Sequence, residues 1–301
     1  MALSWIQPKL AQYSAVPDRC MGRRPKVPSS GTRRVPLISI ITVVRNGRSE
    51  LEKTINSVLS QKHVEIEFIV IDGGSTDGTI DVLKKYDSQL SFWSSAKDRG
   101  IADAMNKGVA CAHGDILTFL NAGDYYVDDN TLSYMSDWFS REQWWWAFGL
   151  ARLLFDFRET NFKQRFRPYR RWHSYYYTPM CHQATFYRRQ LFNEIGLYKV
   201  GNDRLFDIDF VLRSTRFAMP ATSPRYLVWY DTTGYSSKIK WRTMWDRIQV
   251  VAEAGQPSAM LFWALLIAYR HLRSFLSSLL KAAYRRNQPV VRSRAGEPAN
   301  P

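Results

Sequence analysis

Cysteine is scarce in this chain. Its 301 residues include three, Cys20, Cys111 and Cys181. An odd number at such wide spacing supports neither a disulfide framework nor a paired-ligand zinc site, and it fits a reducing compartment. Long hydrophobic runs are missing too. No apolar stretch reaches the roughly 18 to 20 residues that span a bilayer. Met1 to Leu10 lacks the charged start and apolar run of a secretory signal. Acidic side chains are outnumbered, with 27 Asp plus Glu against 42 Lys plus Arg, for a net charge of +15. Core-forming residues are plentiful: 45% of the chain is apolar and 14% aromatic, which excludes a wholly disordered polymer. At roughly 150 residues per domain, the length fits one large domain with extensions.

The positive charge is concentrated. Residues 1–36 carry seven basic and one acidic side chains, residues 141–173 eight and three, and residues 270–301 seven and one. The rest of the chain is close to neutral, so an anionic partner is expected at particular places. Five prolines among residues 1–36 and no lasting hydrophobic period predict a flexible basic arm there.

Structure is expected to begin at Leu37-Ile38-Ser39-Ile40-Ile41-Thr42-Val43-Val44, a β-branched run that suits a buried strand and ends at Arg45-Asn46-Gly47. Leu51, Ile55, Val58 and Leu59 then recur at helical spacing. Ile66 to Ile71 reads as a second strand running into Asp72-Gly73-Gly74-Ser75-Thr76-Asp77-Gly78, with a helix from Thr79. A short strand over Leu90–Ser94, a loop into a helix over 98–108, and a strand over Asp115–Leu120 complete the pattern. Strand and helix alternating with short connections imply right-handed crossovers and a largely parallel sheet.

Ligands of open α/β sheets gather at the carboxyl ends of strands, where this chain has Arg45-Asn46, Asp72 to Asp77 and Asn121-Ala122-Gly123-Asp124. Asp72 can accept from a ribose hydroxyl or a base N–H, while Ser75 or Asp77 can equally cap the following helix. Asp124 has the hard oxygen that divalent cations favour, though Asn-Ala-Gly-Asp is also good turn chemistry.

Taken in order, the runs 37–46, 72–79, Gly100 to Gly108, Gly114-Asp115 and Phe119 to Asp124 resemble family 2 glycosyltransferases of the GT-A fold. Within that family the chain is most similar to enzymes of bacterial exopolysaccharide assembly, such as those of the colanic acid type. The resemblance spans roughly residues 37–235. It implies a Rossmann-like, mostly parallel central sheet flanked by helices, and inverting transfer from a nucleotide-diphosphate sugar. By the same resemblance Asp72 holds the nucleoside, with Thr42 and Arg45 beside it and Arg99, Asn106 and Asn121 also on the donor. Asp124 contacts a divalent metal, Mg2+ or Mn2+, bridging the diphosphate. Asn121 and Gly123 stand where many members carry Asp, which implies a weaker metal site.

Inverting transfer needs a base to take the acceptor proton. The run Arg204 to Arg213 resembles the family's acidic pair leading an apolar helix. Asp207 matches the base and Asp209 its support, and the two point about 200° apart on a helix. An acidic helix start is favoured by the macrodipole in any case. His182 and Gln183 match the acceptor side, although a lone histidine is more often a satisfied core residue. Trp144 to Phe148 reads as a core strand, and Arg165 to Arg171 as facing an acceptor diphosphate or anionic lipid.

Residues 258–286 read as a helix whose apolar side carries Leu272, Phe275, Leu276, Leu279 and Ala283 and whose other side carries Arg270, Arg273 and Lys281. Such a helix can lie on an anionic membrane or pack on the catalytic domain. The expected organisation is an arm over 1–36, a catalytic domain over 37–240, a helical extension over 241–286 and a disordered tail over 287–301. The expected partners are a nucleotide-sugar donor, a saccharide or polyprenyl-diphosphate-linked acceptor, and the inner face of the cell membrane, with no nucleic acid. Two rivals remain: a nucleotide-sugar-binding protein without catalysis, and a nucleic-acid binder using the Arg/aromatic stretch.

Overall fold

The computed structural model describes residues 9–13, 35–155, 158–163, 166, 169–170, 180–201, 205–232, 241–253, 258–266, 268–269 and 272. Strand β1 (Leu37–Val44) is the β-branched run expected, and it lies between two parallel neighbours, β2 (Glu65–Asp72) and β4 (Ile116–Phe119). Strand β3 (Phe92–Ser95) adds in parallel outside β2. The sheet continues past β4 through β8 (Thr185–Arg188), β6 (Trp146–Phe155), β9 (Ala221–Asp231) and β5 (Tyr125–Tyr126), with β7 (Arg158–Lys163) as a hairpin partner of β6.

Strand β8 is antiparallel to both β4 and β6, and β9 is parallel to β6. Strands β6 and β9 therefore point the same way as β1, β2, β3 and β4. Among the described residues, six of the nine strands end on one rim, and β9 brings its last residue, Asp231, to that rim.

A sheet buried on both faces needs apolar residues at both parities, and β1 and β2 supply them. Ile38, Ile40, Phe68 and Val70 face helices α1 (Arg48–Leu59), α2 (Thr79–Lys85) and α4 (Thr131–Glu142) through Leu51, Ile55, Leu83, Leu132 and Met135. Ile41, Ile69 and Ile71 face α3 (Ile101–Cys111), α5 (Gln190–Ile195) and α6 (Phe206–Phe217) through Met105, Val109, Leu191, Phe192 and Phe210. Helix α3 lies so close to β1 that a Cβ at Gly108 would collide with Cγ2 of Ile41. Trp146 is fully buried at the head of β6 and donates Nε1–H to the Ala218 carbonyl at 2.8 Å. The tryptophan run thus serves the core.

One sequence expectation changes and another is narrowed. Residues 1–36 are not uniformly an unattached arm, because Leu10–Tyr13 forms a 3-10 turn that buries Tyr13 against α3. The Tyr13 hydroxyl donates to Asp103 Oδ1 at 2.8 Å. The extension, expected either at a membrane or packed on the domain, packs on the α/β domain. Helix α7 (Trp241–Glu253) and the helical residues from 258 place Val250, Val251, Ala259, Met260 and Trp263 against Leu205, just before α6, and against Ile208 and Leu212 within it. The 287–301 tail, the 273–286 part of the expected helix and most of the Arg165–Arg171 stretch lie outside the described residues. Within that stretch Tyr169 packs on Trp146 and Phe148.

Candidate active site at the carboxyl rim of the sheet

The rim is built on Asp72. It ends β2 fully buried, where an ionised carboxylate must be richly hydrogen-bonded. Its Oδ2 accepts from the Gly74 and Ser75 N–H groups at 3.1 and 2.9 Å and from the Ser95 hydroxyl at 2.6 Å. Its Oδ1 accepts from the Ser75 hydroxyl. These donors come from the β2–α2 loop and from β3, so the carboxylate is committed to holding the loop's shape. All four of these hydrogen bonds are internal to the chain.

The β2–α2 and β1–α1 loops are stapled together. Asn46 adopts a left-handed backbone (φ 51°), its N–H donates to Ser75 Oγ at 2.7 Å, and its Oδ1 accepts from the Thr76 N–H at 2.9 Å. Asp77 accepts from the Thr79 N–H and hydroxyl at 3.0 and 2.5 Å and from the Arg48 N–H at 3.1 Å. Asp77 thus plays the helix-start role that its position allows.

Gly73 leaves space that a neighbouring acid fills. A Cβ there would lie 2.5 Å from Oδ2 of Asp98. Asp98, which sequence reasoning passed over, sits on the loop after β3 and also accepts from the Gly100 N–H at 3.0 Å. Arg45, at the end of β1, is exposed beside this point.

Two other expected donor contacts are internal ties. The buried Thr42 hydroxyl donates to the Leu120 carbonyl at 2.6 Å, joining β1 to the end of β4. Asn106 is buried and clamps Tyr198, donating to its carbonyl at 2.9 Å and accepting from its N–H at 3.0 Å. The exposed Arg99 side chain is paired with Asp103 at 2.8 Å and also donates to the Tyr13 hydroxyl at 3.3 Å.

Asp124 sits at the other end of the rim, buried in the turn that closes when its N–H donates to the Asn121 carbonyl. Its Oδ1 accepts from the Asp231 N–H at 3.0 Å, and Gln183 hydrogen-bonds its side chain. Burial, with the Asp231 carboxylate adding to it, pushes the Asp124 carboxyl up to about 7. In the same turn the Oδ1 of Asn121 is buried and accepts no hydrogen bond. Asp231 was legible by the rule that pointed to Asp72 and Asp124, an acid at the end of an apolar strand. The register that brings β9 to the same rim was not.

Asp207 opens α6, half-buried, with its Oδ1 accepting from the Ile208 N–H at 2.8 Å. Burial pushes its carboxyl up to about 6, and the Arg247 guanidinium of α7 opposes that rise. Arg247, itself pushed down to about 10 by burial, stands 4.6 Å from the Trp263 ring centre. Nothing in the local sequence marked it out. The Cys181 thiol lies within the fields of both Asp124 and Asp207, and burial with those charges pushes it up to about 12. Asp209, by contrast, is buried between Lys199 at 3.0 Å and Arg213 at 2.8 Å. It anchors α6 facing away from Asp207, as two positions on one helix turn require.

His182 is packed among Phe119, Tyr198 and Phe206 at tilted and edge-on angles, with Nε2 3.1 Å from the Tyr198 hydroxyl. Burial pushes it down to about 4, so the imidazole is neutral near pH 7. Gln183, beside it, joins Cys181 (Sγ to Oε1, 3.1 Å) to Asp124.

A sequence model described as "Glycosyl transferase family 2" matches residues 39–196. An uncharacterized glycosyltransferase of Mycobacterium tuberculosis is 31% identical over 216 residues, which are 67% of this chain and 78% of the relative. A "PGL/p-HBAD biosynthesis glycosyltransferase" of Mycobacterium bovis is 32% identical over 212 residues, covering 64% of this chain and 74% of the relative. Among solved structures, S. aureus TarS 1-349 in complex with UDP-GlcNAc superposes with a TM-score of 0.59 at 17% identity, over 72% of this chain and 66% of that one. The mannosyltransferase PcManGT from Pyrobaculum calidifontis, in complex with GDP-Man and Mn2+, gives 0.54 at 17% identity over 91% and 86%. With its acids delivered to one rim of a mixed sheet and these relatives, the chain belongs to glycosyltransferase family 2 and has the GT-A fold.

Proposed function

We propose that the protein transfers a sugar, with inversion at the anomeric carbon, from a nucleoside-diphosphate sugar to a lipid-linked saccharide on the inner face of the cell membrane. The observation that carries this reading is Asp207. It is a half-buried carboxyl at a helix start, close enough, like Asp124, to act on the Cys181 thiol, and burial pushes it up to about 6. A base with a pKa near the working pH is mostly ionised yet still basic enough to accept a hydroxyl proton as the acceptor oxygen attacks.

The nucleoside would lie over the Gly73–Gly74 turn. Asp98 and Arg45 would face it there, while Asp72, Thr42 and Asn106 hold the framework and Arg99 flanks the entrance. The donor set beside it suits a hard cation: Asp124, the unpartnered Asn121 Oδ1 and the nearby Asp231 are all oxygen ligands. Among the described residues no cluster of three or more His, Cys, Asp or Glu could enclose an ion, so a bound cation would share its coordination with the diphosphate. Such a cation would neutralise charge on the leaving diphosphate. Asp207 holds the proton at its carboxylate, Arg247 steadies that carboxylate, and His182 and Gln183 wall the acceptor side. Support for the donor class comes from the nucleotide sugars named with TarS and PcManGT, and for a cell-envelope product from the biosynthetic M. bovis relative.

The test is a panel of nucleotide sugars presented to purified protein with Mn2+ or Mg2+, scored for slow donor hydrolysis and for the anomeric form of the transferred sugar. Turnover with inversion is expected from wild type. The Asp207→Asn variant should lose at least about 100-fold in turnover while keeping donor affinity. Wild-type turnover in that variant, or full activity in excess chelator, would refute the assignment of base or cation.

A further inference from the structure

The helical residues beyond 258 have two apolar sides. One is covered: Ala259, Met260 and Trp263 pack on α6 and α7. The other is open. Leu261, Leu265, Tyr269 and Leu272 are 61%, 60%, 59% and 57% exposed, and at 100° per residue they fall within an arc of about 80°. That stripe lies roughly opposite the covered side. Large side chains aligned in this way mark an interaction surface more clearly than the same residues scattered singly. The sequence carries the period on through Leu276 and Leu279, which lie outside the described residues.

Charge decides among possible occupants. Residues 273–301 hold six basic side chains and one acidic. A second copy of the chain would bring two such segments together, whereas an anionic surface attracts one. Among the described residues no helix is long and apolar enough to cross a membrane, which suits an element lying in the interface plane.

We infer that the Leu261–Leu265–Tyr269–Leu272 face docks on an anionic lipid bilayer. This deepens the proposed reading of a lipid-linked acceptor by assigning the membrane contact to a specific face. The opposite side of the same helix rests on α6, and Trp263 carries Arg247 beside the catalytic carboxylate. The docking helix thus rests on the same α6 that carries Asp207.

The experiment uses full-length protein and vesicles of phosphatidylcholine alone or mixed with phosphatidylglycerol, carrying neither donor nor acceptor. Co-sedimentation and size-exclusion chromatography are compared for wild type and the double variant Leu261→Ser, Leu265→Ser. Both positions are exposed, so the fold should be unaffected; equal melting temperatures check this. The expected result is wild-type binding to the anionic vesicles, weaker binding to phosphatidylcholine alone, and at least about a tenfold loss in the variant. Wild-type affinity should also fall as salt shortens the Debye length from about 10 Å toward about 3 Å. Equal binding by both proteins, no binding to anionic vesicles, or a dimer abolished by the substitutions without vesicle binding would each overturn the inference. Donor hydrolysis by the same samples reports on the catalytic reading separately, because it needs no lipid.

Discussion

Asp124 allows a test that separates stability from catalysis. Its carboxyl is buried and pushed from 3.8 up to about 7, so the native protein binds this proton more tightly than the unfolded chain does. The contribution is neutral below about pH 4, and stability is lost as pH rises through the window from about 4 to about 7. A shift of roughly three units at 1.36 kcal/mol each gives about 4 kcal/mol of destabilisation above neutrality without a cation, and relaxation of the site would reduce it. Asp124→Asn removes the ionisation while keeping an oxygen for the Asp231 N–H. The metal-free variant should therefore be more stable than wild type by about 1–3 kcal/mol at about pH 8, keep roughly 40% of that advantage at about pH 5, and be nearly equal to it at or below about pH 4. Adding Mn2+ should reverse the order at high pH, since an ion that binds only the folded wild type stabilises it by mass action. The measurement is urea unfolding at several pH values with chelator or with Mn2+. If the variant's advantage is independent of pH, or Mn2+ stabilises both proteins equally, then Asp124 is neither strained by its charge nor a cation ligand.

Two further predictions concern the rim. The acid limb of the kcat/KM profile should have its midpoint near about 6, the value to which burial pushes Asp207, and Arg247→Gln should move that midpoint upward, because the guanidinium favours the ionised form; a limb unmoved in Arg247→Gln counts against the pairing. Asp72→Ala should destabilise the protein by about 2–4 kcal/mol in denaturant titrations, since it leaves two loop N–H groups and two hydroxyls without their acceptor, and a loss under about 0.5 kcal/mol would mean that the loop keeps its shape without the carboxylate.

The first half of the fold was legible because its signals are local. Parallel strands buried on both faces read as unbroken β-branched runs, so β1 and β2 matched their expected spans within a residue. The second half depends on pairings between distant segments. Nothing near residues 185–188 says that β8 inserts antiparallel between β4 and β6, and without that register Asp231 cannot be placed beside Asp124. The same distinction runs through the candidate site. Sequence located the acids and amides at the strand ends, since residue type and position suffice for that. Which oxygens are already engaged depends on neighbours far along the chain, and so Thr42, Asp72 and Asn106 emerged as ties within the framework. Arg247 was invisible because a lone arginine on an amphipathic helix carries no mark of what it faces.

The Tyr13 hydroxyl, seated on Asp103 and within reach of Arg99, bears on where the smallest self-sufficient enzyme begins. The family's sequence pattern opens at residue 39, and a protein trimmed to that limit would expose the α3 groove and leave Asp103 short of a donor. Trimming after residue 240 would strip Arg247 from the Asp207 carboxylate and uncover Leu205, Ile208 and Leu212. The folded unit is therefore longer than the 39–196 stretch that the family pattern matches, because short segments at both ends close it.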